Sequence, residues 1–400
     1  MKIGLLRETK KPVDRRVALI PEQIARIRPV YPQAEFMVQS SEARSYSDEE
    51  YKKSGIHVVD DIADCQLLFG VKEIAPDKLI AGKTYLIFSH TAKEQPQNKK
   101  LLQRMAKLGC TLIDYEYLVH DNVRVVAFGY WAGIVGAYLA LLGYGTYTRS
   151  YSLKPPAGCR DLTELKKELK KTILDKTLRF VVTGEGRVAS GAAEILQAAG
   201  IERVAAEHYL MDENKKPVFC HTGPQHYTKH YQNKVFDFNH FVHHPDEYES
   251  NFREYIDITD ILIMCHYWDK RSPHFFTRDD MKDPSFSIRL ISDISCDIPG
   301  PVPSTIRTST LESPYYGIDR IHCSEIKPFQ PDQVTVTAVD NLPSALPRDA
   351  SEDFGEGLIS HVLPELLREE PGKIIENATI LNGGKLTERF GYLKDYLGEA

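Results

Sequence analysis

Short apolar runs alternate with amphipathic stretches along the first 125 residues of the chain. Lys2–Leu6, Glu35–Val38, Leu67–Gly70, Thr84–Phe88 and Thr111–Asp114 read as strands, and Pro21–Arg28, Asp48–Ser54 and Gln95–Leu108 read as helices. Alternation of this kind predicts a mostly parallel α/β sheet. From about Ala127 to Thr148 the chain becomes almost continuously apolar, broken by Gly129, Gly133, Gly136 and Gly143. These glycines and the tyrosines among them predict a buried interdomain helix rather than a membrane span. A charged helix, Leu162–Leu174, leads to the apolar strand Arg179–Thr183, and Arg203–Ala206, Ile261–Met264 and Ile288–Ile291 are further strands. Residues 211–250 are polar, aromatic and His-rich and read as an insertion. The apolar pattern returns at Val334–Ala338 and runs through Asp340-Asn341-Leu342-Pro343 into a helix reaching Phe354. The expected fold is two Rossmann-like α/β domains with parallel sheets and an active site in the cleft between them. Residues 1–127 with 338–400 form a discontinuous catalytic domain, and 128–337 form a dinucleotide-binding domain.

The second domain is assigned from one turn. After the strand Arg179–Thr183 comes Gly184-Glu185-Gly186-Arg187-Val188-Ala189 and then a helical run, the G-x-G-x-x-A form of the dinucleotide fingerprint. Gly184 permits the tight turn, Gly186 lets backbone approach a pyrophosphate, and Ala189 allows close helix–strand packing. The N-terminus of the helix that follows is expected to face the phosphates. An acidic residue for the adenosine ribose is expected about 20 residues on, and Glu207 stands 23 after Gly184. The cofactor expected is NAD, with NADP the alternative.

Composition narrows the class. A hydrophobic share of 42% and a charged share of 26% are those of a globular protein with a sizeable core. A net charge of −6 argues against a nucleic-acid partner. The seven cysteines are scattered without C-x-x-C spacing and read as reduced thiols, and the N-terminus lacks a signal-peptide apolar core, so a cytoplasmic protein is expected. The partner expected is a small molecule, with neither membrane nor nucleic acid, and the state a monomer or small homo-oligomer.

Three places carry candidate chemistry. The segment Arg7 to Pro21 holds five cations within ten residues, including Lys10 and Arg16, suited to an anionic substrate or to a solvated loop. Lys72 follows a buried strand, and His90 stands at the corresponding end of the next one. Two titratable groups at adjacent strand ends suit acid–base work, and partial burial lowers a lysine towards a usable base. The His-rich stretch holds His221, His226, His230, His240, His243 and His244, with an i, i+4 pair at 226 and 230. No carboxylate or cysteine spacing completes a known site, so no metal is expected.

Taken together, these segments resemble the alanine dehydrogenase / transhydrogenase N-terminal superfamily, and more closely the lysine-forming saccharopine dehydrogenases with the lysine–ketoglutarate reductase domains. The resemblance rests on Arg7 to Pro21, Gly70-Val71-Lys72-Glu73, Phe88-Ser89-His90 with Lys93 and Gln95, Asp114 to Leu118, Arg124 to Gly133, Ser292 to Asp297 and Val339 to Ser351, in family order. It implies NAD(P)-dependent oxidation of saccharopine at its secondary amine and hydrolysis of the imine to L-lysine and 2-oxoglutarate, or the reverse. Lys72 matches the family's base and His90 its acid–base histidine. Lys10, Arg16 and Lys93 match cations for substrate carboxylates. Glu73 and Glu116 tune Lys72 and His90 or hold a substrate ammonium. Asp340 contacts the cofactor, holds catalytic groups or is only an N-cap. The chain departs from the family in three places. The family's first fingerprint glycine aligns with Thr183, its ribose acid falls near Met211-Asp212, and the segments 211–250 and Cys265 to Arg271 differ. An alanine-dehydrogenase-like amino-acid dehydrogenase and a non-catalytic dinucleotide sensor are the alternatives.

Overall fold

The computed structural model describes residues 1–211, 215–368 and 372–398. They form two compact units, Met1–Phe128 with Pro347–Ala400, and Gly129–Leu346.

In the first unit, β1 (Lys2–Leu5), β2 (Glu35–Gln39), β3 (His57–Val59), β4 (Leu67–Phe69), β5 (Thr84–Ile87) and β6 (Thr111–Asp114) are parallel, in the order β6-β5-β4-β1-β2-β3. Antiparallel strands Thr379–Asn382 and Lys385–Leu386 extend the β6 edge, and a small ribbon, β7 (Val119–His120) with β8 (Val123–Arg124), follows β6. Successive side chains enter opposite cores: Leu67, Phe69 and Leu86 pack on one face, Leu68, Tyr85 and Ile87 on the other. Helices α1 (Pro21–Ile27), α2 (Asp48–Lys53) and α3 (Lys99–Lys107) are shorter than expected. Pro96 opens a 3₁₀ turn, Pro96–Asn98, so α3 begins after it rather than at Gln95. The C-terminal segment rejoins this unit because Ala350, Phe354, Leu358 and Val362 recur at helical spacing and are buried. Strand order reverses between β1 and β4, which makes the carboxyl ends of these two strands the topological switch point where α/β sheets bind ligands.

The second unit opens with α4 (Gly129–Thr148) and α5 (Leu162–Leu169), followed by β9 (Arg179–Thr183) and α6 (Arg187–Ala198). A Cβ on Gly133 would meet the Val188 carbonyl oxygen at 1.8 Å, and one on Gly191 the Tyr130 carbonyl oxygen at 2.1 Å. These glycines let α4 and α6 pack backbone to backbone, which accounts for the glycine-studded apolar run. Among the described residues no helix is long and apolar enough to cross a membrane. The sheet continues with β10 (Glu202–Val204), β11 (Val218–Thr222), β14 (Ile261–Met264), β15 (Leu290–Asp293), β16 (Tyr316–Ile318), β17 (Glu325–Ile326) and β18 (Val334–Thr337), after a separate ribbon of β12 (Thr228–His230) and β13 (Tyr248–Ser250). Its order is β10-β11-β9-β14-β15-β18-β16-β17, parallel from β10 to β18.

Two sequence expectations are corrected here. The stretch 211–250 is not wholly an insertion: β11 lies inside it and pairs directly with β9. Its side chains are mostly buried, whereas those of β10 are exposed, and this difference puts β10 on the edge. The return to the first unit falls at Pro347 rather than 338. Val339 bridges to Ser309, and Leu342 and Ala345 are buried, which keeps this segment with the second unit.

Candidate active site and nucleotide-binding turn

At the switch point of the first unit, the segment leaving β1 grips the segment leaving β4. The Glu8 carboxylate accepts the Val71 N–H at Oε1 (2.7 Å) and the Lys72 N–H at Oε2 (2.9 Å), and Thr9 Oγ1 accepts the Ala75 N–H (3.0 Å). Burial raises the Glu8 carboxyl to about 7 against those two backbone bonds, which pull it down. Lys72 is thereby fixed at the strand end. Its ammonium is pushed below the ordinary lysine value, first by burial and then by the charges of Arg16 and Lys10. Sequence reasoning named Lys72 but not Glu8. The signal available was its place immediately beyond the first strand of the sheet.

Glu73 ties three elements together. Its Oε1 lies 2.7 Å from His90 Nδ1 and its Oε2 2.9 Å from Lys10 Nζ. Burial opposes ionisation, but the hydrogen bond and charge of His90 and the hydrogen bond of Lys10 override it and hold the carboxyl at about 2. The bond at Nδ1 orients the imidazole and leaves its Nε2 for other partners. His90 adopts a left-handed backbone (φ 52°), uncommon for a side chain other than glycine. Asp114 supports this turn: it is fully buried, accepts the Ser89 N–H at Oδ2 (3.0 Å) and accepts the Glu116 N–H at Oδ1 (2.8 Å). The same carboxylate therefore sets the loops carrying His90 and Glu116. Glu116 in turn binds Lys93 Nζ at 2.7 Å, with Arg124 Nη2 at 3.6 Å.

Arg16 differs from its expected part. Its fork is closed on Asp14 (Nε to Oδ1 2.9 Å, Nη2 to Oδ2 2.5 Å), and its guanidinium lies 4.0 Å over the Phe128 ring. With 2% of its surface exposed it is not an open fork for a substrate carboxylate. A buried guanidinium needs its counter-ion close by, and Asp14 supplies it. Lys10 and Lys93 do reach solvent, with 41% and 49% of their side chains exposed.

In the second unit, Gly184 has φ +85°, and a Cβ there would meet His266 Cα at 2.8 Å. Gly186, the residue before α6, has open space where a Cβ would stand. Arg187 opens α6, and Ala189 is fully buried behind it. The open glycine and the first amides of a twelve-residue helix make a cradle for a phosphate anion. Two histidines brace the turn, a part the sequence did not suggest for either: His221 Nε2 contacts the Gly184 carbonyl, and Thr183 Oγ1 lies 2.7 Å from His266 Nδ1. Burial drives His266 down to about 3, so it is a neutral prop.

Glu207 is not brought to this turn. It sits exposed in the short helix after β10, and β11 separates β10 from β9. Spacing along the chain misplaced it because the strand beside β9 is not the next one in sequence. Asp212, the other acid considered, lies outside the described residues. Asp340 is exposed just beyond β18, but the 3₁₀ turn Leu342–Ala345 is preceded by Asn341, so Asp340 is not its N-cap. The i, i+4 pairing of His226 with His230 fails as well, since the helix Pro224–Tyr227 ends first and His230 belongs to β12.

The first unit thus holds a parallel sheet with Lys72, Glu73 and His90 at its switch point, and the second a parallel sheet with a glycine turn opening a helix. Residues 4–135 match the family model of the alanine dehydrogenase/PNT N-terminal domain. A solved L-alanine dehydrogenase superposes with a TM-score of 0.65 at 15% identity, covering 100% of this chain and 99% of that one, which shows a shared fold. Sequence relatives are more specific. The chain is 28% identical to the saccharopine dehydrogenase [NAD(+), L-lysine-forming] of Emericella nidulans, over 96% of this chain and 97% of that protein. It is also 29% identical to the mitochondrial alpha-aminoadipic semialdehyde synthase of Rattus norvegicus, over 98% of this chain and 47% of that protein. The chain thus spans about half the length of the latter.

Proposed function

We propose that the chain is an NAD-dependent oxidoreductase that cleaves saccharopine to L-lysine and 2-oxoglutarate or runs the reverse condensation. The observation that carries this reading is the Glu73 carboxylate joining His90 and Lys10 beside a lysine with a depressed pKa. Hydride leaves a carbon attached to nitrogen only when that nitrogen is neutral, so a base must first take the ammonium proton. Lys72, its ammonium pushed below the ordinary lysine value by burial and two nearby cations, is that base. His90, oriented through Nδ1 by Glu73, moves protons to and from the attacking water and the departing amine. Lys10 and Lys93 reach solvent and meet substrate carboxylates. Arg16 acts at one remove, adding positive potential at Lys72 while Asp14 keeps it neutralised.

NAD supplies the hydride acceptor when bound. Gly184, Gly186, Arg187 and Ala189 would hold its pyrophosphate, and Asp340, exposed beyond β18, would meet it from the same sheet. We assign the chemistry to the first unit and the nucleotide to the second. NAD is favoured over NADP by the fungal relative's name. The seven cysteines are free thiols, in keeping with a reducing, cytoplasmic setting. The alanine-dehydrogenase-like alternative draws on the family model over residues 4–135 and on a fold likeness at 15% identity.

The test is reductive. Purified protein, L-lysine and 2-oxoglutarate are mixed with NADH or NADPH, and nicotinamide absorbance is followed beside a pyruvate-plus-ammonia control. Oxidation of NADH with lysine and 2-oxoglutarate is the expected result. Oxidation with pyruvate and ammonia alone would move the protein to the alternative.

A further inference from the structure

Between Thr228 and Ser250 the chain of the second unit forms the β12/β13 ribbon, with a helix, Phe238–His243, spanning it. No part of the proposed reaction uses this excursion. It nevertheless gathers three imidazoles around one carboxylate. His230 Nε2 and His240 Nε2 lie 3.2 and 3.8 Å from Glu247 Oε2, and His244 Nδ1 lies 4.0 Å from Glu247 Oε1. The ligand atoms of His230, His240 and Glu247 all fall within 4.8 Å of one another. His230 is only 3% exposed, and Tyr248 and Phe236 wall the cluster with aromatic rings.

The hydrogen bonds show what this group lacks. Tyr248 donates its hydroxyl hydrogen to the Asp237 carbonyl at 3.4 Å, so at 3.2 Å its oxygen accepts from His240 Nδ1. With Nδ1 so engaged, His240 Nε2 faces the Glu247 carboxylate at 3.8 Å, beyond hydrogen-bond distance. Two imidazoles and a carboxylate at this separation are the donor set of zinc and similar borderline divalent ions. We propose that His230, His240 and Glu247 form a site for a divalent transition-metal ion of the zinc class, with His244 or water as the fourth ligand. Sequence spacing concealed it, because Glu247 follows the His-rich run in the turn Pro245–Glu247 and meets His230 only through the pairing of β12 with β13.

His230 Nδ1 accepts the Gln232 N–H at 3.0 Å, which places the imidazole proton on Nε2. Metal binding at Nε2 moves that proton to Nδ1 and turns the Gln232 amide. The turn falls in a loop flanked by Tyr231 and Val235, 60% and 93% exposed, where the backbone has room to rotate. The metal's part is to pin the helix Phe238–His243 onto the ribbon.

The experiment uses the untagged full chain, stripped with a chelator and titrated with Zn²⁺ by calorimetry, and with Co²⁺ followed by visible absorption. One saturable equivalent of Zn²⁺ is expected, with the intense Co²⁺ bands of a four-coordinate site. His240→Ala and Glu247→Ala, both at partly exposed positions, should each abolish the stoichiometric event without changing the far-UV circular dichroism. His243→Ala, whose side chain is turned to its own helix backbone, should leave it intact. Absence of saturable binding in the native chain would overturn the proposal. So would one-to-one binding that survives in the His240→Ala/Glu247→Ala double variant, since the ion would then sit elsewhere.

Discussion

Replacing Glu73 by Gln removes the negative charge between Lys10 and His90 while keeping the size of the side chain. In the native protein burial raises this carboxyl, yet His90 and Lys10 bring it from 4.5 down to about 2. The drop, 4.5 − 2, is about 2.5 pH units, and at 1.36 kcal/mol per unit it corresponds to about 3 kcal/mol. Because the folded value lies below the unfolded one, this contribution is complete above pH 4.5 and fades as pH falls towards 2. Glu73→Gln should therefore destabilise the first unit by about 1–3 kcal/mol at neutral pH, and the gap should narrow below pH 4.5, where the unfolded chain's carboxyl takes up its proton before the native one does. Both tryptophans, Trp131 and Trp268, lie in the second unit, so tryptophan fluorescence follows the wrong half of the chain. Hydrogen exchange in graded urea, read on peptides covering β4 and β5 at pH 7 and pH 3.5, measures the intended unit. Equal protection of variant and native protein at pH 7, or a gap that does not shrink on acidification, would refute the electrostatic account of this cluster.

Lys72→Met should lower kcat by about 10²–10⁴, the usual worth of a general base, with dinucleotide binding in a fluorescence titration unchanged. Turnover within a few-fold of native would remove Lys72 from that role. The oxidative pH–rate profile should rise with an apparent pKa below the ordinary lysine 10.5, since only neutral Lys72 accepts the proton and its folded value is lowered. An inflection at or above 10.5 contradicts this. Glu8→Gln puts an amide donor against a backbone N–H and should cost about 1–3 kcal/mol of stability together with a fall in kcat, measured by urea unfolding and steady-state kinetics. The two fingerprint glycines should separate: Gly184→Ala, strained at φ +85° and crowded by His266, should lower Tm. Gly186→Ala has room to fold and should keep its Tm while weakening NADH binding, so a normal NADH affinity in that variant would argue against the cradle.

The sequence by itself determined the class of fold and many of its strands, and it marked candidate positions for chemistry. Short apolar runs, a glycine turn before a helix and titratable residues at strand ends are local signals, and local sterics and burial enforce them. Lys72, Glu73 and His90 were therefore candidates before any coordinates, each at the exit of its strand. What tertiary structure alone decided is which strand lies beside which and which charges face each other. The polar β10 went to the edge and β11 took its place beside β9, so Glu207 lost its expected neighbour although its spacing was right. Arg16 looked like an open fork until burial required a counter-ion, and Asp14, two residues away, closed it. Glu8 became a support for Lys72, and Glu247 a partner for His230 and His240, only once sheet pairing had brought distant segments within hydrogen-bond reach. Free energies of burial and pairing depend on separation in space, and spacing along the chain does not set that separation.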